Sequence, residues 1–163
     1  FRRVLFRSLN MKYSDDYMYA KDIDWFCVIN DNYIHAASAG GILPEPINDR
    51  EKLRKLQKQV YDLSPIFLDE DIIINHSFIN ERFYDNNEEK SDYLQSFMSM
   101  AKKGFVSMDR TNLFDLDDQR YHIVCMPKYK KPIEGLNEIF KIRIEGISFQ
   151  KPENGIKLFD YCK

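Results

Sequence analysis

The chain has 163 residues, 44% hydrophobic, 14% aromatic and 31% charged, with 24 Lys and Arg against 26 Asp and Glu and a formal charge of −2. That composition supplies one sizeable apolar core and a polar surface. It excludes a membrane-spanning helix, because no apolar run approaches the roughly 18 residues a span requires. It also argues against generic DNA binding, which needs clustered positive charge.

Residues 1–10, "FRRVLFRSLN", carry Arg2, Arg3 and Arg7 and no acidic residue. They lack the apolar core and cleavage site of a signal peptide. They are expected to be a non-native or disordered leader, with residues 11–163 forming a single globular α+β domain. Without the leader the formal charge moves from −2 to −5, because 21 basic residues then face 26 acidic ones. Three cysteines, Cys27, Cys125 and Cys162, are widely spaced. An odd count without a secretory signal points to reduced thiols and a cytoplasmic location. Richness in Asn, Asp, Ile, Lys and Tyr is common in AT-rich bacterial and phage genomes.

Residues 12–22 predict a loop or short helix that packs tyrosines on the body. Residues 24–39 predict a hairpin, "WFCVI", "NDN", "YIHAAS", with Asp31 and Asn32 at the tip. That register sets Val28 against His35 and Trp25 against Ser38. Gly40 and Gly41 end the second strand. Residues 49–63 predict a helix with Leu53, Leu56, Val60 and Leu63 on one stripe, and Asn48 and Glu51 at capping-box spacing. "DIIIN" at 71–75 predicts a short buried strand, and Ser77 a cap for a brief helix through Phe83. A further helix is predicted from Ser91 or Asp92, with Leu94, Phe97, Met98 and Ala101 inward and Lys102, Lys103 and Gly104 as its C-terminus. "FVSM" at 105–108 and "RYHIVCMP" at 120–127 predict strands around an acidic loop. "IFKIRIEGISF" at 139–149 alternates cleanly, as a strand with one wet face does. "IKLFDYC" predicts a last strand.

Strands and helices do not alternate regularly, so the expected fold is α+β. It has a mostly antiparallel sheet of about five to seven strands, with two or three helices packed on one face.

No segment carries a complete catalytic or metal motif. "SAGG" lacks the spacing of a Walker loop or dinucleotide fingerprint, yet its small residues permit close ligand approach and its N–H groups suit an anion. His35, Ser38, Gly40 and Gly41 are therefore candidate ligand contacts. His35 and Ser38 fall on opposite strand faces, which argues against their acting as base and nucleophile. Lys103, Arg110 and Thr111 are further candidates, since Arg offers a planar fork to phosphate or carboxylate. Asp115, Asp117 and Asp118 lack the Gly and late Glu of a calcium loop. His76, His122 and the cysteines show no zinc spacing. "PKYKKP" at 127–132 surrounds Tyr129 with lysines and reads as a solvated loop. No metal or cofactor is expected.

The expected function is a non-catalytic binding protein for an anionic small ligand of nucleotide type, or for a protein partner or second copy. Its sharpest version is sequestration of a signalling nucleotide. The alternatives are a small hydrolase or transferase with His35 or His122 as general base, and an accessory subunit pairing through a sheet edge.

Overall fold

The computed structural model describes residues 11–143, 149, 155 and 156. The predicted leader and most of the predicted last strand lie outside these residues, as do residues 144–148 of the alternating segment. Among the described residues six strands make one sheet: β1 (Asp24–Ile29), β2 (Asn32–Ala37), β3 (Ile72–Ile74), β4 (Val106–Arg110), β5 (Tyr121–Pro127) and β6 (Phe140–Ile142). Their order is β3-β5-β4-β2-β1-β6. Among the described residues four α-helices accompany them: α1 (Asp15–Tyr19), α2 (Arg50–Asp62), α3 (His76–Phe83) and α4 (Asn87–Lys102). The fold is α+β, with four helices among the described residues against the two or three expected. The five-residue α1 falls in the segment read as a loop or short helix, and starts where Ser14 accepts the Tyr17 N–H.

The first hairpin turns at Asn30 and Asp31, whose φ values are 48° and 64°. Two successive positive φ values make a turn whose twist matches the flanking strands. Phe26 therefore faces His35, and Trp25 faces Ala36, two residues away from the predicted register. The tip lies one residue earlier than predicted, at Asn30 and Asp31 in place of Asp31 and Asn32, and that single step moves every cross-strand partner by two.

The hairpin sits inside the sheet. β2 pairs parallel with β4, and β1 pairs parallel with β6. The other three pairings are antiparallel, so the sheet is mixed with an antiparallel majority. The parallel β2–β4 pair requires a long crossover, which residues 38–105 supply with α2, β3, α3 and α4.

Alternation then sorts the strand residues. Trp25, Cys27, Ile29, Ile34, Ala36 and Met108 belong to the larger core cluster, with Leu53, Leu56 and Val60 of α2. A second cluster joins Ala37, Val124 and Cys125 to Phe78 and Ile79 of α3 and Phe97 and Ala101 of α4. Burial of the Cys125 thiol pushes its pKa up to about 12, so it behaves as a small hydrophobe.

Helix ends also depart from expectation. Asp49, not Asn48, caps α2 by accepting the Lys52 N–H. Asn48 instead bonds both the N–H and the carbonyl of Tyr13, tying the N-terminal segment to the body. Asn75, not Ser77, caps α3. α4 starts at Asn87 with Asn86 as its cap, one turn before the predicted start. No helix among the described residues is long and apolar enough to cross a membrane.

Candidate functional site

Two predicted cationic contacts serve the fold instead. Lys103 is buried, and its Nζ donates to the carbonyls of Val60 (3.0 Å) and Tyr61 (2.9 Å) at the end of α2. Arg110 is wholly buried and lies in β4, not in a turn. Its guanidinium donates to the carbonyls of Ala39 (2.9 Å) and Asp115 (3.4 Å). A Cβ on Gly41 would meet Arg110 Cδ at 2.9 Å, so the bare glycine lets this side chain pass. Arg110 thus staples the 38–41 loop to the 111–118 loop.

The "SAGG" amides are already engaged as well. Ser38, Ala39, Gly40 and Gly41 donate their N–H groups to Ile23 O, Asp22 Oδ1, Lys21 O and Ser38 O. Ser38 Oγ accepts the Ile23 N–H. The loop therefore offers no set of converging amides to an anion.

His35 is buried against the sheet, and its partners come from neighbouring strands. Nδ1 shares a 2.7 Å hydrogen bond with Ser107 Oγ on β4. Nε2 lies 3.2 Å from Asp24 Oδ1 on β1, at ion-pair distance but off the hydrogen-bond line. A tautomer with its proton on Nε2, toward the carboxylate, leaves Nδ1 to accept from Ser107. The row Ser107–His35–Asp24 has the composition of a catalytic triad in the wrong orientation. Ser107 is fully buried, whereas Asp24 is half-open at the mouth. A nucleophile sealed at the closed end meets no substrate.

Asp24 opens into a groove of about 450 Å³. Its polar wall is Asp22, Asp24, His35, Asp109, Arg82 and Tyr93. Asp109 is buried, and its Oδ2 accepts from Arg82 Nη1 (2.8 Å) and Tyr93 Oη (2.7 Å). Burial drives its pKa up, against the opposing pull of Arg82 and Tyr93. Burial would also raise Asp24, but His35 and the Tyr61 hydroxyl outweigh it and hold that carboxyl below its usual value. The apolar wall is a run of rings. Phe83 meets Tyr93 at 4.7 Å, Tyr93 meets Phe97 at 4.8 Å and Phe97 meets His35 at 5.8 Å between centroids.

A second lobe of about 660 Å³ shares Arg82, Phe83 and Leu113 with the first and adds Phe78, Thr111, Phe114 and His122. His122 stacks on Phe78 at 4.6 Å, and its Nδ1 is hydrogen-bonded to Thr111 Oγ1. Burial lowers the His122 pKa, with Glu81 opposing. Phe114, wholly exposed, stands on the rim. The structure thus brings His35 into the first lobe and Thr111 and His122 into the second. Ser38, Gly40, Gly41, Lys103 and Arg110 line neither lobe.

Sequence reasoning missed Asp22, Asp24, Arg82, Tyr93, Ser107 and Asp109. One signal was present: Ser107 and Asp109 flank Met108 at alternate positions of β4 and so share a face. Nothing local linked them to His35, 72 positions before Ser107. Comparisons with protein-family models, curated proteins and solved structures find no match to this chain.

Proposed function

We propose that the chain is a non-catalytic binding protein for a small organic molecule held in the groove between β1, β2 and β4 and the helices α3 and α4. The observation that carries this is the pairing of ring-lined and polar walls around about 450 Å³, the construction of a small-ligand site. The buried Ser107 argues for binding over acyl transfer. An anionic ligand of nucleotide type draws no support from Lys103 or Arg110, whose charges face backbone carbonyls.

Incubation with a mixed panel of nucleotides, amines and sugars, followed by ultrafiltration and mass spectrometry, tests this. Depletion of a panel member from the free pool, with intact recovery after denaturation, is the expected result. Recovery as a new mass would make the protein an enzyme. A panel left wholly undepleted and unchanged would remove the small-ligand reading.

One observation favours the catalytic alternative. The Thr111 hydroxyl is hydrogen-bonded to His122, a ring whose pKa burial lowers, on the wall of the larger lobe. If panel turnover appears, that version requires its loss in both His122→Ala and Thr111→Ala. Turnover retained in His122→Ala removes His122 as base.

A further inference from the structure

The groove's charge and its rings together name a ligand class. Three carboxylates, Asp22, Asp24 and Asp109, share the cavity with a single guanidinium, Arg82. Arg82 is committed to Asp109 at 2.8 Å and lies over the rings of Phe78 and Tyr93. Asp22 and Asp24 have no Lys or Arg within ion-pair distance among the described residues. Their hydrogen-bonded partners are the Ala39 N–H and the Tyr61 hydroxyl. A neutral ligand that expelled water from this cavity would leave surplus negative charge poorly solvated, which is costly. An anion would add to that charge. A cation removes the cost, and an apolar or aromatic body carried with it suits the wall that Phe83, Tyr93 and Phe97 provide.

The ring wall is a second feature, independent of the carboxylates. The side chain of His35 is only 4% exposed and lines the same cavity. Its Nε2 has no hydrogen bond in line, with Asp24 beside it at 3.2 Å. Asp24 Oδ1 faces His35 and Oδ2 accepts from the Tyr61 hydroxyl, so a ligand N–H would use the remaining lone pairs of these two oxygens.

Resting on the small-ligand function proposed above, we propose that the groove binds an organic cation, a protonated amine carried on an apolar or aromatic body. The ammonium lies between Asp22 and Asp24, and the body lies along Phe97, Tyr93 and Phe83. Leu113 and Ala39, held by the Arg110 staple, close the sides.

Three probes with one body and different heads test this: phenethylamine, 2-phenylethanol and phenylacetate, each titrated into the ¹⁵N-labelled protein. The amine is expected to shift backbone resonances of Asp24, Ala37, Tyr93 and Phe97, and to bind about tenfold or more tightly than the alcohol. Phenylacetate is expected not to bind. Asp22→Asn, an exposed and fold-neutral change, should weaken the amine and leave the alcohol unaffected. Equal or tighter binding of the alcohol or acid in the groove overturns the cation proposal while the small-ligand function stands. Equal amine affinity in Asp22→Asn removes Asp22 from the site and overturns the placement of the ammonium between Asp22 and Asp24. If none of the three probes shifts groove resonances, the cation proposal falls. The mixed panel then decides separately whether small-ligand binding falls with it.

Discussion

Arg110 shows how a residue's chemistry can be redirected by its neighbours. A guanidinium in solution seeks phosphate or carboxylate, but this one sits under two loops whose carbonyls it satisfies. Arg110→Ala should therefore cost stability first, by about 3 kcal/mol, because buried carbonyls lose their donor and a large cavity opens. Urea denaturation checks this, and a loss below about 0.5 kcal/mol would mean the loops are held by something else. Gly41→Ala should destabilise through the same contact, since the new methyl meets both Arg110 Cδ and the Ser38 carbonyl at 2.9 Å. Ser107→Ala separates the two meanings of the Ser107–His35–Asp24 row. A structural hydroxyl costs about 1 kcal/mol on removal and leaves groove binding intact. A change in ligand affinity with unchanged stability would contradict that role.

Elements here are shaped by their ends more than by their middles. The β1–β2 turn holds Asp31 at φ 64°, where Gly carries no steric penalty. Asp31→Gly should be neutral or stabilising, since it creates the Asn-Gly pair this turn favours. Asp31→Val should lose about 1–2 kcal/mol, because a β-branched residue resists positive φ. Matching thermal midpoints for the two variants would show that the turn is not under this constraint. The α2 terminus makes a similar pair. Asp49→Ala removes a cap worth about 1 kcal/mol. Asn48→Ala instead cuts two bonds to Tyr13 and should loosen residues 11–19. Hydrogen exchange distinguishes them: raised exchange at Lys52 in the first, and across the N-terminal segment in the second.

For the molecule as a whole, two groups lower stability on acidification, and Asp109, whose folded pKa burial raises, works in the opposite sense between its folded pKa and the ordinary 3.8. Burial holds the folded His122 pKa below the ordinary 6.5. Below 6.5 the unfolded chain therefore binds the proton first, and stability falls as pH falls until the folded pKa is passed. Asp24, whose folded pKa lies below the ordinary 3.8, adds stability above 3.8 that is lost only as pH drops further. Denaturation midpoints should thus decline in a first stage just below pH 6.5, and His122→Gln should flatten it. A first stage unchanged in that variant would assign it to another group.

Much of the architecture was legible in the sequence. The α2 stripe, the alternating strands and the α4 C-terminus are local patterns, fixed by period and by end chemistry within a few residues. Phe140 buried and Lys141 exposed keep the predicted alternation of β6. The acidic loop between β4 and β5 was equally readable from composition. The site was not readable in this way. Asp24, His35, Ser107 and Asp109 come from three strands, and they meet because β2 pairs in parallel with β4 across a crossover of 68 intervening residues. No local period encodes a parallel pairing, whose register is set by packing on both faces. Patterning by itself determined which faces of the helices and strands are apolar; only the tertiary structure decided which polar groups were buried and with which partners, and so turned Arg110 and Lys103 into fasteners and left three aspartates facing one groove.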